Sequence, residues 1–281
     1  MLKYLSVMLL FLAASCSFKG ITVSENITYM EEGFLGALPE KQLNIFAPQK
    51  TRQPLPVLVF IHGGSWRSGS KERYGFFGRR MARRNIVTVI IDYPLSPDNQ
   101  VQAMALATAK SLDWVAANIA DYGGDPERIV VSGHSAGGHL AALVAVRDIY
   151  FDSLAVESPV AGAALIDAAG LDMYHYLVNQ NYEPGTSHLK TFTNDPKIWK
   201  ETSPIYHLHG DMPPMLIMMG GKTYSSILEG TDRFMEDYRD HVPNPNYNVQ
   251  KNKRHIPMMV QFFYTPGRAF RWVRDFVKEI D

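Results

Sequence analysis

Ile129-Val130-Val131 runs into Gly133-His134-Ser135-Ala136-Gly137-Gly138, and the chain continues as the small-residue stretch His139-Leu140-Ala141-Ala142-Leu143-Val144. An apolar run that ends in G-x-S-x-G and opens into such a stretch has the strand–turn–helix context of a nucleophile elbow. The glycines belong to that reading, because the serine sits on a tight, strained turn where neighbouring β-carbons would clash. Such a turn lifts Oγ above a sheet and aims the first N–H groups of the following helix at an incoming oxyanion. Ser135 is therefore the candidate nucleophile and Ala136 a candidate backbone donor.

On either side the same alternation recurs. Val57–Ile61 and Ile86–Ile91 are continuous apolar runs, as expected for strands covered on both faces, while Leu43–Ala47 alternates like a half-buried strand. Apolar residues at 101, 104, 108, 112, 115 and 119 have helical spacing. Val160–Ile166 reads as a strand ending at Asp167, and Met215–Met219 as a later one. Ile227, Leu228, Thr231, Phe234, Met235 and Tyr238 mark an amphipathic helix, and Phe270, Val273, Phe276, Val277 and Ile280 a terminal one. The pattern implies an α/β fold, a mostly parallel central sheet with helices on both faces. Residues from about 172 to 205 fit no such unit and carry Tyr174, Tyr176, Tyr182, Phe192 and Trp199. An aromatic-rich insertion between two strands is expected to cap the site; the alternative is a surface loop with its own packing.

The chain has 281 residues, 46% of them hydrophobic and 20% charged, enough to build the core of one α/β domain. Twenty-eight basic residues balance 28 acidic ones, so no nucleic-acid partner and no anionic membrane surface is favoured. Lys3, the apolar run Tyr4–Leu12 and the small residues Ala13-Ala14-Ser15 read as a signal peptide too short to span a membrane. Leu12-Ala13-Ala14-Ser15-Cys16 also resembles a bacterial lipobox, whose cysteine is lipidated; the alternative is a plain signal peptide cut near Cys16. The expected location is outside the cytoplasm, as a lipoprotein facing the periplasm or cell surface. Cys16 is the only cysteine, so the exported part has no disulfide and no thiol nucleophile.

A second motif, His62-Gly63-Gly64-Ser65-Trp66, directly follows the Val57–Ile61 run. Its glycines let backbone N–H groups approach a substrate unobstructed, and with the Ala136 N–H they would form an oxyanion hole for acyl transfer. No pair of His, Asp or Glu has zinc-ligand spacing in a supporting context, so no metal and no cofactor is expected.

Together with Asp92-Tyr93-Pro94-Leu95-Ser96-Pro97 and Gly123-Gly124-Asp125-Pro126-Glu127-Arg128-Ile129, these motifs resemble the α/β-hydrolase superfamily, in its carboxylesterase branch related to hormone-sensitive lipase and arylformamidase. The resemblance runs from about Leu43 to the C-terminus. The expected organisation is a signal peptide over 1–16, an N-terminal extension over 17–42 and a hydrolase domain over 43–281 with its cap insertion. The resemblance implies Ser135 as nucleophile, the backbone of Gly63, Gly64 and Ala136 as oxyanion hole, and a late histidine as base. His255 fits, on a loop before the last helix, in the chain order Ser…acid…His. His134 is expected to be structural.

The acid is the open position. Relatives carry it in a Gly-x-x-Asp stretch after the Met215–Met219 run, but here that stretch reads Gly220-Gly221-Lys222-Thr223, and threonine cannot stabilise an imidazolium by charge. Asp167, flanked by Ala168, Ala169 and Gly170, is the leading replacement; Glu229, Asp232, Asp172 or a Ser–His dyad without an acid remain. The expected activity is hydrolysis of a small-molecule or carbohydrate-linked ester through an acyl-enzyme. The alternatives are an arylformamidase-like amidase and an inactive hydrolase fold used for binding.

Overall fold

The computed structural model describes residues 20–40 and 42–280. The expected signal peptide and Cys16 lie outside the described residues. Among the described residues eight strands make one sheet: β1 (Ile21–Ile27), β2 (Leu43–Pro48), β3 (Leu55–Ile61), β4 (Val87–Ile91), β5 (Gly124–His134), β6 (Val160–Ile166), β7 (Met215–Gly220) and β8 (Asn246–Gln250). Their order across the sheet is β1-β2-β4-β3-β5-β6-β7-β8. β2 pairs antiparallel with both of its neighbours, and every other pairing is parallel.

Among the described residues ten α-helices accompany the sheet: α1 (Gly75–Ala82), α2 (Val101–Asn118), α3 (Ala136–Val146), α4 (Ile149–Asp152), α5 (Met173–Gln180), α6 (Ser187–Phe192), α7 (Pro196–Glu201), α8 (Ser225–His241), α9 (His255–Val260) and α10 (Arg268–Glu279). The continuous apolar strands serve two cores at once. Val57, Val59, Val131 and Leu165 pack with α2, α3 and α8 on one face. Leu58, Phe60, Val130 and Ala164, one residue out of phase, pack with α1, α9 and α10 on the other. Alternate side chains of a strand point to opposite faces, so a strand buried on both sides has no polar phase.

The structure departs from three expectations. Part of the 17–42 extension belongs to the domain, since β1 pairs with β2 and Tyr29 and Met30 are buried in the core. Gln42 holds that turn through its side chain, accepting from the Tyr29 and Met30 amides. β2 is buried along its whole length rather than on one face, because Asn44 turns its polarity inward and accepts a hydrogen bond from the Asn26 amide at 2.8 Å. The polar segment before His255 contains an edge strand, β8, and His255 itself opens α9 instead of lying on a loop.

Residues 172–205 form α5, α6 and α7, followed by a 3₁₀ turn at Pro204–His207. Asp172 caps α5 by accepting the His175 amide and also binds Arg233 of α8. Phe192 meets the edge of the Trp66 indole, and Thr202 accepts a hydrogen bond from His139 of α3. Phe192 and the Thr202 carbonyl therefore tie the insertion to the HGGSW loop and to the elbow helix.

Candidate active site

Four parallel strands deliver their carboxyl ends to one crevice, the usual location of ligand sites in open α/β sheets. His62-Gly63-Gly64 follows β3, Ser135 follows β5, Asp167 follows β6, and Gly220 ends β7 ahead of Thr223. His255 arrives from β8 by way of the turn at 251–254.

Ser135 sits at φ 57° and ψ −121°, a strained left-handed conformation for a residue with a side chain. The surrounding packing enforces it. A β-carbon at Gly137 would fall 2.1 Å from the Ile61 carbonyl oxygen, so only glycine lets the elbow press against the end of β3. Gly64, at φ +138°, is similarly constrained, since a β-carbon there would meet the Ser68 carbonyl at 1.8 Å. The Ala136 N–H is at the first position of α3, where a helix leaves its amides without intrahelical acceptors.

The structure brings the three expected side chains together. His255 Nε2 lies 2.9 Å from Ser135 Oγ, and His255 Nδ1 lies 2.6 Å from Asp167 Oδ2. Asp167 is fully buried, and the Gly220 amide donates to its other oxygen at 2.7 Å. Thr223 occupies the vacant acid position without replacing the charge: its hydroxyl donates to Asp167 Oδ2 at 2.5 Å and lies 3.4 Å from His255 Nδ1. The other acids are engaged elsewhere. Glu229 pairs with His175, Asp172 is bound to Arg233 and to α5, and Asp232 points outward from α8.

Two rings flank the His255 imidazole. His134 stacks on it at 4.6 Å between centroids, and its Nε2–H donates to the His255 carbonyl at 3.2 Å. Tyr224 approaches at 4.9 Å with a tilted ring. Burial lowers the His134 pKa to about 4, reinforced by the neighbouring His255, so His134 is neutral at pH 7. His62 braces the glycine loop from below, with its Nε2 3.2 Å from Asp92 and its ring stacked on Tyr93. Sequence reasoning missed the support given by Thr223 and Tyr224; the only trace was the occurrence of Thr223 where an acid was sought.

A family model described as BD-FAE matches residues 43–228. The chain belongs to the BD-FAE family. A probable isoprenylcysteine alpha-carbonyl methylesterase of Arabidopsis thaliana is 26% identical to this BD-FAE chain over 242 residues, 80% of the chain and 50% of the relative. Esterase LipQ of Mycobacterium tuberculosis is 31% identical over 176 residues, 59% of the chain and 42% of the relative. The chain thus spans about half the length of these curated relatives. A solved truncated carbohydrate esterase from gut microbiota superposes with a TM-score of 0.78 at 20% identity, covering 94% of this chain and 97% of that one, and so shares the α/β-hydrolase fold.

His134, Asp167 and His255 also bring potential metal-ligand atoms within 4.8 Å of one another. Their atoms are committed, however: His255 Nδ1 to Asp167, and His134 Nε2 to a carbonyl. A serine hydroxyl thus faces one nitrogen of an imidazole whose other nitrogen is held by a buried carboxylate. A cavity of about 510 Å³ opens above it, lined by Gly64, Trp66, Ser135, Met173, Tyr176 and His255 among others.

Proposed function

We propose that this BD-FAE chain is a serine carboxylic ester hydrolase. The observation that carries the reading is the unbroken Asp167–His255–Ser135 line, with hydrogen-bond distances of 2.6 and 2.9 Å. Asp167 holds the imidazole with its proton on Nδ1, leaving Nε2 to accept the Ser135 proton as Oγ attacks an ester carbonyl. The oxyanion meets the amides of Ala136 and of Gly63-Gly64. Gly63 lies against the nucleophile, since a β-carbon there would be 3.1 Å from that of Ser135. The imidazolium then gives its proton to the departing alcohol, and water hydrolyses the acyl-enzyme by the reverse steps. The esterases among its relatives support this reading.

The contact of Asp167 with His255 weighs against the inactive-fold alternative, whose ground is the missing acid after β7. The reading extends to export and to a lipid anchor on Cys16, testable by metabolic labelling with a fatty acid in the wild type and in Cys16→Ala. For the chemistry, a fluorophosphonate probe should label the protein, and Ser135→Ala should abolish labelling. Turnover of nitrophenyl acetate should exceed that of an N-formyl aromatic amine. Absence of labelling, or faster cleavage of the amide, would refute esterase function.

A further inference from the structure

The wall of the cavity that adjoins His255 is apolar and exposed. Ile256, Met259, Val260 and Phe263 line the cavity on the His255 side, and Phe76 of α1 joins them. Ile256, Val260 and Phe263 retain 59%, 52% and 52% of their possible exposure, a cost in water that monomeric proteins seldom concentrate in one place without a use. Phe263 is nevertheless fixed. Its ring stacks on Phe76 at 3.6 Å with an interplanar angle of 11°, and its carbonyl accepts a hydrogen bond from Arg80 at 2.8 Å. The Arg80 guanidinium also lies over the Phe263 ring at 5.6 Å. A ring held in this way meets hydrocarbon with little loss of conformational freedom.

The direction of the chemistry says which part of an ester meets this wall. In the collapse of the tetrahedral intermediate the leaving oxygen takes the proton held on His255 Nε2, so the alcohol must lie on the base's side of Ser135 while the carbonyl oxygen faces Gly64 and Ala136. Residues 256, 259 and 260 are carried on the helix that His255 opens. We infer that the wall formed by Ile256, Val260, Phe263 and Phe76 is the binding site for the alcohol portion of the substrate, and that this portion is a hydrocarbon chain or ring. The inference rests on the serine-esterase reading.

The test is a pair of ester ladders read by pH-stat. One holds the acyl group at acetyl and lengthens the alcohol from ethyl through butyl to hexyl, alcohols of similar acidity; the other holds ethanol and lengthens the acyl group over the same range. The kcat/KM ratio of hexyl to ethyl acetate should be about tenfold or more, a conservative value for burying four methylenes against a half-exposed wall. In the doubly substituted Val260→Ser/Phe263→Ser protein the same ratio should fall below about threefold. Val178→Ser, at an exposed apolar position outside the cavity lining, serves as the control and should leave the ratio unchanged. A gain that follows the acyl chain instead, a flat alcohol ladder, or a ratio indifferent to the double substitution would overturn the assignment while wild-type labelling of Ser135 by a fluorophosphonate left the esterase reading standing. Loss of labelling in the wild type would overturn both.

Discussion

One carboxylate oxygen, Asp167 Oδ2, serves both the base and a threonine. It accepts from His255 Nδ1 at 2.6 Å and from Thr223 Oγ1 at 2.5 Å, while the Gly220 amide occupies Oδ1. Asp167 supplies the charge and the bond that orients the base, Thr223 a supporting bond to that carboxylate, and their removal should have different consequences. Asp167→Asn should lower kcat by about 10³- to 10⁴-fold, because a neutral amide can neither fix the tautomer nor stabilise the imidazolium. Thr223→Val keeps the charge and loses one hydrogen bond to it, so kcat should drop only about tenfold, with Thr223→Ser restoring most of it. Steady-state kinetics on nitrophenyl acetate, with circular dichroism to verify folding, measures both. Equal losses in the two variants would contradict this division of labour.

Among the elements, the connection from β6 to β7 is the one whose attachment can be dissected. α5 is bound to α8 by two pairs of unequal character. Asp172 is buried and binds Arg233 Nε at 2.7 Å, whereas Glu229 is largely exposed and binds His175 at 2.7 Å. Arg233→Ala strands a buried carboxylate and should lower stability by about 1–2 kcal/mol, a value discounted because the arginine itself is half in water. Glu229→Ala should cost less than about 0.5 kcal/mol. Urea midpoints at pH 7.5 would show the contrast, and a larger loss for Glu229→Ala would show that the buried pair does not hold the insertion. The same scale explains what could be read from the sequence. β3, β4, β6 and β7 were legible because burial on both faces leaves them almost wholly apolar, and β5 through its apolar core Ile129-Val130-Val131. β1 and β8 are the two edges of the sheet, each with one neighbouring strand, and their polar residues erase the pattern. Ser135 announced itself through glycines demanded by a local turn. Asp167 stood only as the leading one of several acids, since its role depends on β6 lying beside β5 and on a histidine 88 positions later reaching back to it.

Across the molecule, two buried neutral histidines make stability depend on pH. His134 and His139 both have pKa values lowered to about 4 by burial, from 6.5 in an unfolded chain. Between pH 6.5 and 4 the unfolded chain therefore binds protons that the native state refuses, and stability falls as the pH is lowered through that window. Above about pH 7 this contribution is complete and flat. At pH 5 the loss should be roughly 2 kcal/mol for each histidine relative to pH 7.5, measurable as a shift in the urea midpoint. His139→Gln should flatten part of the slope, and an unchanged slope would mean that this imidazole is not the group titrating. The tautomer of His139 agrees with its neutrality: Nδ1 accepts from the Trp66 indole at 3.2 Å while Nε2–H donates to the Thr202 carbonyl at 2.7 Å.

The hydrogen bond from the His134 ring to the His255 carbonyl joins residues 121 positions apart in the chain. It has a consequence for transplantation: copying G-x-S-x-G alone into another scaffold would move the hydroxyl but leave its proton acceptor without posture. A portable unit needs the turn at Ser135, α9 with the imidazole of His134 as the rivet between them, and the end of β6 that brings Asp167 to the base.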